Sequence, residues 1–142
     1  MTYNYKQNKI VALISSEIEQ WQALNVLGHM SVSLGANKDE QLMGRESLVD
    51  ASGFNHKGIA RFGFIIKKGT SQEINQLVNS VKDNPSITLI DFPQEMLDTK
   101  HDDELHESMQ LKNTEDFKYL GCLVYGPTET IDEITKGYKL WS

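Results

Sequence analysis

Two continuous apolar runs constrain the fold of this chain more than any other feature. "KIVALIS" (9–15) and "YLGCLVYG" (119–126) have strand length and lack alternating polar positions. Such a pattern is typical of strands buried on both faces of a sheet. A third run, "SITLIDF" (86–92), has the same character. The sequence therefore predicts a sheet covered by helices on both faces.

The segments between these runs show helical and turn signals. Thr70 and Glu73 have capping-box spacing, and apolar residues follow at i, i+3, i+4 and i+7, namely Ile74, Leu77, Val78 and Val81. Further helices are predicted for "DDELHESMQL" and "GPTETIDEITKG", and extended segments for "ESLVDASG", "ARFGFIIKKG" and the edge strand "YKLW". His56 is expected in a glycine-flanked loop. The alternation predicts one α/β domain (1–142) with a mainly parallel sheet. Within it, residues 1–8 are expected to form a flexible N-terminal segment.

The segment from Trp21 to Asn37 carries no Asp, Glu, Lys or Arg, although 24% of the chain is charged. As a helix it places five residues in an apolar arc of roughly 100°, namely Ala23, Val26, Leu27, Met30 and Leu34. Gly35 predicts the end of this helix. A second arc, of roughly 80°, holds the neutral polar residues Gln22, Asn25, His29 and Ser33.

This neutral polar stripe has two interpretations. A solvated helix face usually carries charges, so the stripe favours a cleft or an interface, where His29 could exchange a proton near neutral pH. Alternatively, the polar groups only bond neighbouring loops, and His29 is structural.

A second polar cluster occupies "MLDTKHDDELHES" (96–108). His101 and His106 are five residues apart, about 140° on a helix, whereas zinc-binding helices use i and i+4. The cluster therefore favours an acid-rich helix start over a metal site. A third interpretation is a site loop in which His101 and Asp102 form a proton-handling pair. The chain has no phosphate-binding glycine motif, and no cofactor is expected.

The net charge, the cysteine count and the length of the apolar segments narrow the class of protein. A net charge of −6 and a pI near 5.1 disfavour nucleic acid as a partner. The single cysteine, Cys122, lies in an apolar run and is expected to be a buried thiol in a reducing compartment. The uncharged segment is too short and too polar to span a bilayer, and no secretory signal is evident. We therefore expect a cytoplasmic protein without a membrane partner.

Two resemblances emerge from the motifs. "YLGCLVYGPTETIDEITKGYKLW" resembles the C-terminal part of the type 2 peptidyl-tRNA hydrolases, with a buried strand, a Gly-Pro turn, an "IDxITG"-like helix and a final strand. More specifically, "WQALNVLGH", "LVDASG", "FPQEMLDTKHDD" and "LGCLVYGP" resemble the bacterial family called domain of unknown function 2000, which is similar in fold to those hydrolases. The resemblance covers about Lys9 to Trp141.

The resemblance implies a three-layer sandwich, in which a mixed sheet of four or slightly more strands lies between helix layers, and a homodimer. It places Gln22 where the hydrolases have an active-centre lysine, and Asp91 where they have an aspartate after the third strand. In the unknown-function family, the recognisable signature corresponds to Trp21, Gln22, Asn25 and His29 and, separately, to Met96, Thr99, His101 and Asp102.

These observations predict a small polar ligand in a cleft between the helix 21–35 and the loop 96–104. His29 or His101 would be the acid or base, with Asp102 orienting it. The candidate ligand-binding residues are Trp21, Gln22, Asn25, Thr99 and Asp91. The sequence leaves open whether the domain is an enzyme. The alternatives are a non-catalytic homodimeric binding module and a residual peptidyl-tRNA hydrolase.

Overall fold

A computed structural model of the chain describes residues 4–142, apart from the side chains of residues 39 and 40. The strands are β1 (Asn8–Ser15), β2 (Ser47–Val49), β3 (Asn55–Lys57), β4 (Gly63–Gly69), β5 (Thr88–Pro93), β6 (Tyr119–Pro127) and β7 (Lys139–Leu140). The helices are α1 (Gln20–Leu42), α2 (Ser71–Val81), α3 (Glu95–Asp98), α4 (Asp102–Met109) and α5 (Thr128–Thr135), and a 3₁₀ turn covers Thr114–Asp116.

The main sheet has five strands in the order β5-β6-β1-β4-β7, and β2 and β3 form a separate two-stranded sheet. The β1–β4 pair is parallel, whereas β6 runs antiparallel to both β1 and β5, and β7 antiparallel to β4. The expectation of a mainly parallel sheet is therefore wrong, and the sheet is mixed. An apolar run shows that a strand is buried on both faces but does not fix its direction.

Helices cover both faces of the sheet. On one face, α1 packs on alternate residues of β1, and its contacts include the predicted apolar arc, in which Ala23, Val26, Met30 and Leu34 are buried. On the other face, α2 and α5 cover the intervening residues Val11 and Leu13. This arrangement leaves the far side of α1 uncovered by any other element that the structure describes.

α1 is longer than predicted. It continues through Gly35 to Leu42, with a break at Lys38, where φ is −136° and ψ is 23°. The predicted stop at Gly35 is wrong because Leu34 and Leu42, on either side of it, are both buried in the core. That burial outweighs the cost of about 1 kcal/mol for glycine within a helix.

The other local signals give the predicted elements. The capping box is confirmed, since Thr70 and Glu73 exchange both hydrogen bonds at the start of α2. α4, α5 and the short edge strand β7 also occur where they were expected.

The N-terminal segment expected to be flexible (1–8) falls partly on residues 1–3, which lie outside the described residues. Within the described part, Lys6 and Gln7 accept hydrogen bonds from Thr128, and Asn8 begins β1.

Residues 43–61 form a hairpin that we call the arm. Backbone hydrogen bonds join its two sides from the Leu42–Arg61 pair at the base to the Asp50–Phe54 pair at the tip. The expected loop position of His56 is wrong, because His56 lies in β3 and pairs with Leu48. "NHK" contains no apolar residue, and local turn contacts, not burial, define this strand.

Within residues 4–142, no helix combines the length and apolarity that crossing a membrane requires.

Candidate functional site

A small hollow of about 190 Å³ lies where α1 meets the edge strand β5. We call it the β5 hollow. Its lining comes from α1, β5 and α3, and comprises His29, Met30, Ser33, Ile90, Asp91, Phe92 and Met96. The walls are mainly apolar, and the polar groups are the His29 imidazole, the Ser33 hydroxyl and the backbone of β5. In the sheet that the structure describes, β5 is an edge strand that pairs with β6 on one side.

His29 lies at the border of the β5 hollow. Its ring is 6.0 Å from the Phe92 ring, centroid to centroid, with the two planes tilted by 50°. The imidazole is exposed, and no described residue hydrogen-bonds its nitrogens. Both ring nitrogens are therefore available to a ligand, one as donor and one as acceptor in the neutral form.

A second, shallower hollow of about 640 Å³ lies on the outer side of α1 and shares His29 and Ser33 with the first. It is also lined by Leu24, Asn25, Gly28 and Val32. His29 thus stands between the two hollows, so a ligand in the β5 hollow can extend past the imidazole onto α1. Of the predicted stripe, Asn25, His29 and Ser33 meet here.

The outer side of α1 is uncharged as well as exposed. We call the row Trp21, Asn25, Gly28, Val32 and Gly35 the outer stripe. Its spacing of 4, 3, 4 and 3 residues places it within roughly 80° on the helix, opposite the buried arc. Trp21 is 69% exposed and Val32 is 74% exposed. The charge-free segment therefore has two uncharged faces, one on the sheet and one on solvent.

The Gln22 side chain is bonded to the residue just before its own helix. Its Oε1 accepts a 3.0 Å hydrogen bond from the backbone N–H of Glu19, and it does not line either hollow on α1. The side chain thus helps to cap the start of α1, where the first N–H groups lack helical partners. A neutral amide at this position also supplies no cation for an anionic substrate.

From the loop 96–104, only Met96 reaches the β5 hollow. The Thr99 hydroxyl donates to the Glu95 carbonyl at 2.8 Å, which stabilises the end of α3. His101 precedes α4 and Asp102 begins it, and both are exposed. Among the described residues no hydrogen bond joins these two side chains. The structure thus brings His29 together with Met96 but not with Thr99, His101 or Asp102.

Asp91 borders the β5 hollow through its backbone, whereas its carboxyl lies on the opposite face of the sheet. Strand residues alternate in direction. Ile90 and Phe92 belong to the cluster under α1, while Asp91 pairs with Cys122, which belongs to the cluster under α2. Partial burial raises the pKa of the Asp91 carboxyl. This carboxyl and His29 are therefore separated by the sheet.

Sequence reasoning missed Phe92 and Ile90 as lining residues, because both belong to an apolar run that indicates only a buried strand. It also missed the exposure of Leu24 and Val32. The sequence did contain a signal for this exposure, because Leu24 and Val32 are apolar but fall outside the predicted core arc.

The end of β1 is filled by the chain's own groups. Glu17 accepts a 2.6 Å hydrogen bond from the Ser71 backbone N–H, at the start of α2. The buried Ser15 hydroxyl accepts from the Glu17 N–H at 3.1 Å and lies 3.4 Å from the Ser71 hydroxyl. These bonds to Ser71, with a smaller contribution from Lys118, lower the pKa of Glu17. Ser15 therefore acts in capping here, at the strand end where α/β sheets often bind ligands.

A buried carboxylate lies beyond the end of β5. Glu95 is buried, and its Oε2 accepts a 2.8 Å bond from Lys112, while its Oε1 has no hydrogen-bond partner among the described atoms. Within residues 4–142, no three His, Cys, Asp or Glu side chains are grouped as metal ligands require.

The family model for proteins of unknown function (DUF2000) matches residues 8–142. The chain belongs to this family. A solved structure with the same fold is that of a protein of unknown function, Atu0240, from Agrobacterium tumefaciens strain C58. Its TM-score is 0.84 at 20% sequence identity, and the match covers 96% of this chain and 98% of that one. No curated protein matches the chain. Membership of DUF2000 accounts for the sequence resemblance and leaves the function to be argued from the site.

Proposed function

We propose that this DUF2000 domain binds a small ligand in the β5 hollow, with His29 as the principal polar contact. The observation that carries the proposal is an exposed imidazole whose nitrogens accept or donate no hydrogen bond among the described residues, and which lies at the border of a mainly apolar hollow. Ligand sites commonly combine apolar walls with a few polar groups that fix orientation. The lining therefore favours a ligand with a short apolar body and a hydrogen-bonding head.

The volume supports a small occupant. The β5 hollow holds about 190 Å³, which is below the usual range of roughly 300–1,000 Å³ for drug-sized ligands. A longer ligand would cross His29 and continue over Asn25 and Gly28 in the outer hollow. Asp91 would border the ligand through its backbone only, whereas Trp21, Gln22 and Thr99 would act at a distance, as supports of the helix and the loop.

Acid–base catalysis by His29 is the enzymatic form of the same proposal. A neutral imidazole can take a proton from a bound nucleophile and return it to a leaving group. His101 and Asp102, proposed as its partners, do not line the hollow. The support for catalysis therefore rests on His29 alone and is weaker than the support for binding.

The binding site is tested by mapping small probes on the protein with ¹H–¹⁵N NMR. Suitable probes are butyramide, butyrate, benzyl alcohol and phenyl acetate, at millimolar concentration. We expect the shifted resonances to cluster on His29, Ser33, Phe92 and Met96. Shifts that cluster elsewhere, or no shifts in the hollow with any probe, would contradict the proposal. Phenyl acetate also tests catalysis, since turnover should fall with His29→Ala and persist with His106→Ala, which removes an exposed histidine of α4.

A second candidate function is a homodimeric binding module, and the outer stripe favours it. Exposed helix faces of monomeric proteins are rarely both uncharged and apolar, and such patches often mark interfaces. Gly28 and Gly35 have no side chain, so the backbone of a second helix could approach them closely. No atom of this chain occupies that space, since a Cβ at either position meets nothing within 4 Å. An antiparallel pairing of two outer stripes about a twofold axis would bury Trp21 and Val32.

Sedimentation velocity over a range of protein concentrations tests this second function. We expect a dimer that Val32→Glu converts to a monomer, with Leu111→Glu as the matched control. Leu111 is 84% exposed and lies outside α1. Val32 is informative because its side chain is exposed, whereas substituting a buried residue of α1 such as Met30 would disturb the core itself.

Peptidyl-tRNA hydrolysis has less support. Gln22 supplies no cation and is engaged with Glu19, and the net charge is −6. The finer assignment of the fold to the type 2 peptidyl-tRNA hydrolases remains a proposal that rests on the motif resemblance. Absence of peptidyl-tRNA turnover and of RNA binding at low salt would remove this function.

A further inference from the structure

Two hollows adjoin at the carboxyl ends of β1 and β4. The first, of about 260 Å³, reaches from Ser16 to the turn before β7, and we call it the β7 hollow. The second, of about 270 Å³, reaches from Ser16 to Trp141 and the start of α1, and we call it the Trp141 hollow. Ser16 and Lys68 line both, so the two form one groove, the β4 groove. None of its lining residues borders either hollow at His29.

The fold places the β4 groove where α/β sheets often bind ligands. β1 and β4 are parallel neighbours, so their carboxyl ends meet at one edge of the sheet. From β1 the chain continues into α1 on one face, and from β4 it continues into α2 on the other. Neighbouring connections that leave to opposite faces open a crevice beyond the strand ends. Glu17 fills the part of that crevice next to Ser71 but does not line the β4 groove.

Two lysines lie side by side in the β4 groove. Lys68 in β4 is directly opposite Lys139 in β7, and both line the β7 hollow. Opposite residues of an antiparallel pair point to the same face, with Cβ atoms about 5 Å apart. The pair lies on the α1 face, because Ile66 and Trp141, two residues away on each strand, pack on the cluster under α1.

The charges of this lysine pair are not neutralised by the part of the chain that the structure describes. No carboxylate in that part lies within ion-pair distance of either ammonium group. Lys68 Nζ donates a 3.3 Å hydrogen bond to the exposed Ser142 hydroxyl. Glu73 also lines the β7 hollow, but its Oε1 accepts from the Thr70 N–H in the helix cap. Like charges directly opposite each other destabilise a sheet, so an anion that bridges the lysines would stabilise the protein.

Protection of the sheet edge does not account for both lysines. Charged residues on edge strands, lysine above all, prevent pairing with another sheet. Lys139 lies on the edge strand β7 and could act in this way. Lys68 lies on β4 and has a neighbour on each side, since it pairs with Ile14 as well as with Lys139. Two cations beside a hollow therefore favour anion binding.

The Trp141 hollow supplies an apolar wall without an acidic side chain. Besides Lys68, its lining comprises the half-buried Ile18 and Trp141, the Gln20 side of the α1 start, and two serines. An aromatic ring suits this hollow because it can stack on the indole. Each hollow alone is smaller than the usual range of roughly 300–1,000 Å³ for ligand sites, whereas the two adjoining hollows together fall within it.

We propose that the β4 groove binds a small aromatic phosphate monoester, with the phosphate at Lys68 and Lys139 and the ring against Trp141. A phosphate monoester carries a charge of about −1.5 to −2 at pH 7, which matches two ammonium groups. Because the net charge of the chain is −6, an anion requires a local concentration of cations, and the lysine pair provides one. The proposal is independent of the ligand site at His29.

Tryptophan fluorescence measures this binding. The chain has two tryptophans, so Trp21→Phe leaves Trp141 as the only one. The probes are phenyl phosphate, phenyl sulfate, which has the same shape and one charge less, and phenol, all at low salt. We expect saturable binding of phenyl phosphate, about fivefold or more weaker binding of phenyl sulfate, and none of phenol. No saturable change with phenyl phosphate up to about 10 mM, or an equal affinity for either other probe, would overturn the proposal.

Lysine variants in the same background locate the phosphate. We expect Lys68→Gln to weaken phenyl phosphate binding about tenfold or more, and Lys139→Gln about threefold or more, since each removes a contact with the dianion. Lys68→Arg keeps the charge and should keep most of the affinity. The matched control is Lys136→Gln, which removes an exposed cation that pairs with Glu133 outside the groove, and it should leave the affinity unchanged. An equal loss in all three glutamine variants would assign binding to net charge and overturn the site.

Thermal melting separates loss of binding from loss of fold. Phenyl phosphate should raise the melting temperature of the wild type and of Lys136→Gln but not that of Lys68→Gln, because a ligand stabilises only a fold that binds it. Lys139→Gln changes an exposed position and gives the same comparison if Lys68→Gln does not fold. An increase in these groove variants as large as in the wild type would show that the phosphate binds elsewhere, and the proposal would be wrong.

Discussion

The His29 ring packs on Phe92 at a centroid distance of 6.0 Å, and this contact joins α1 to the edge strand β5. Phe92 is buried, whereas the imidazole is exposed and no residue within 4–142 hydrogen-bonds its nitrogens. The contact orients the ring without using its nitrogens. His29 is therefore positioned by packing and left free for hydrogen bonding, as a ligand-binding histidine requires.

Glu17 should stabilise the protein in a pH-dependent way. Bonds from Ser71 lower its pKa below the ordinary value of 4.5. The stabilisation is therefore fully present above about pH 4.5 and is lost as the pH falls through the lowered pKa of the folded state. We expect Glu17→Gln to reduce the melting temperature at pH 7 and to reduce it less near pH 3. Glu107→Gln, at an exposed position of α4, serves as the control, and a difference that does not change with pH would contradict the assignment.

Gly121 should be intolerant of a side chain because α1 packs directly over it. A Cβ at this position would lie 2.7 Å from Val26 Cγ1 and 3.1 Å from Met30 Cε. We expect Gly121→Ala to destabilise the fold by about 1–3 kcal/mol, as overpacked cores do. Gly137→Ala, where a Cβ meets nothing within 4 Å, should change stability by less than about 0.5 kcal/mol. Urea denaturation measures the free energy of unfolding of both variants. Equal losses in the two variants would refute close packing at Gly121.

Local patterns were sufficient for most helices and strands. The buried arc of α1 and the capping box at Thr70 depend on spacing within one segment, so the sequence contains them. The direction of β6 and the formation of the arm depend on contacts that no periodic pattern within one segment reveals. The antiparallel pairings of β6 with β1 and β5 define its direction. The contacts of Asp50, not apolar periodicity, define the arm.

The candidate site was predictable only in part, because it depends on contacts between distant segments. His29 and Met96 are 67 positions apart in the sequence and meet only because α1 packs beside β5. Asp91 is a candidate through the resemblance to the hydrolases, which have an aspartate after the third strand, but the pairing with Cys122 directs its carboxyl to the other face. No local spacing encodes that register.

The tip of the arm should be sensitive to Asp50. Hydrogen bonds from Ser52, His56 and Phe54 lower the pKa of Asp50 to about 2. Its stabilisation is therefore present above the ordinary value of 3.8 and is lost as the pH falls through about 2. We expect Asp50→Ala to speed amide hydrogen exchange at Ser52 and Phe54, whose N–H groups bond its carboxylate. The amides of β6 provide the internal control, and unchanged exchange at the tip would show that Asp50 does not fix the turn.

Cys122 should be inert in the folded protein. Burial, with a further contribution from the Asp91 carboxylate, raises the pKa of the thiol, and the thiolate is the reactive form. We expect its reaction with a thiol reagent at pH 8 to be at least about a hundredfold slower than in denaturant, because labelling requires opening of the core. A cysteine introduced at the exposed Ala51 should react quickly, and comparable rates at the two positions would contradict the buried assignment.

The ligand affinities of two histidine variants decide whether the ligand site is built around His29. The probe that binds most tightly in the NMR screen is titrated into the wild type, His29→Ala and His106→Ala. We expect an affinity at least about tenfold weaker for His29→Ala, because a principal hydrogen bond to the ligand is lost, and an unchanged affinity for His106→Ala. Equal binding by His29→Ala and the wild type would contradict a ligand site built around His29.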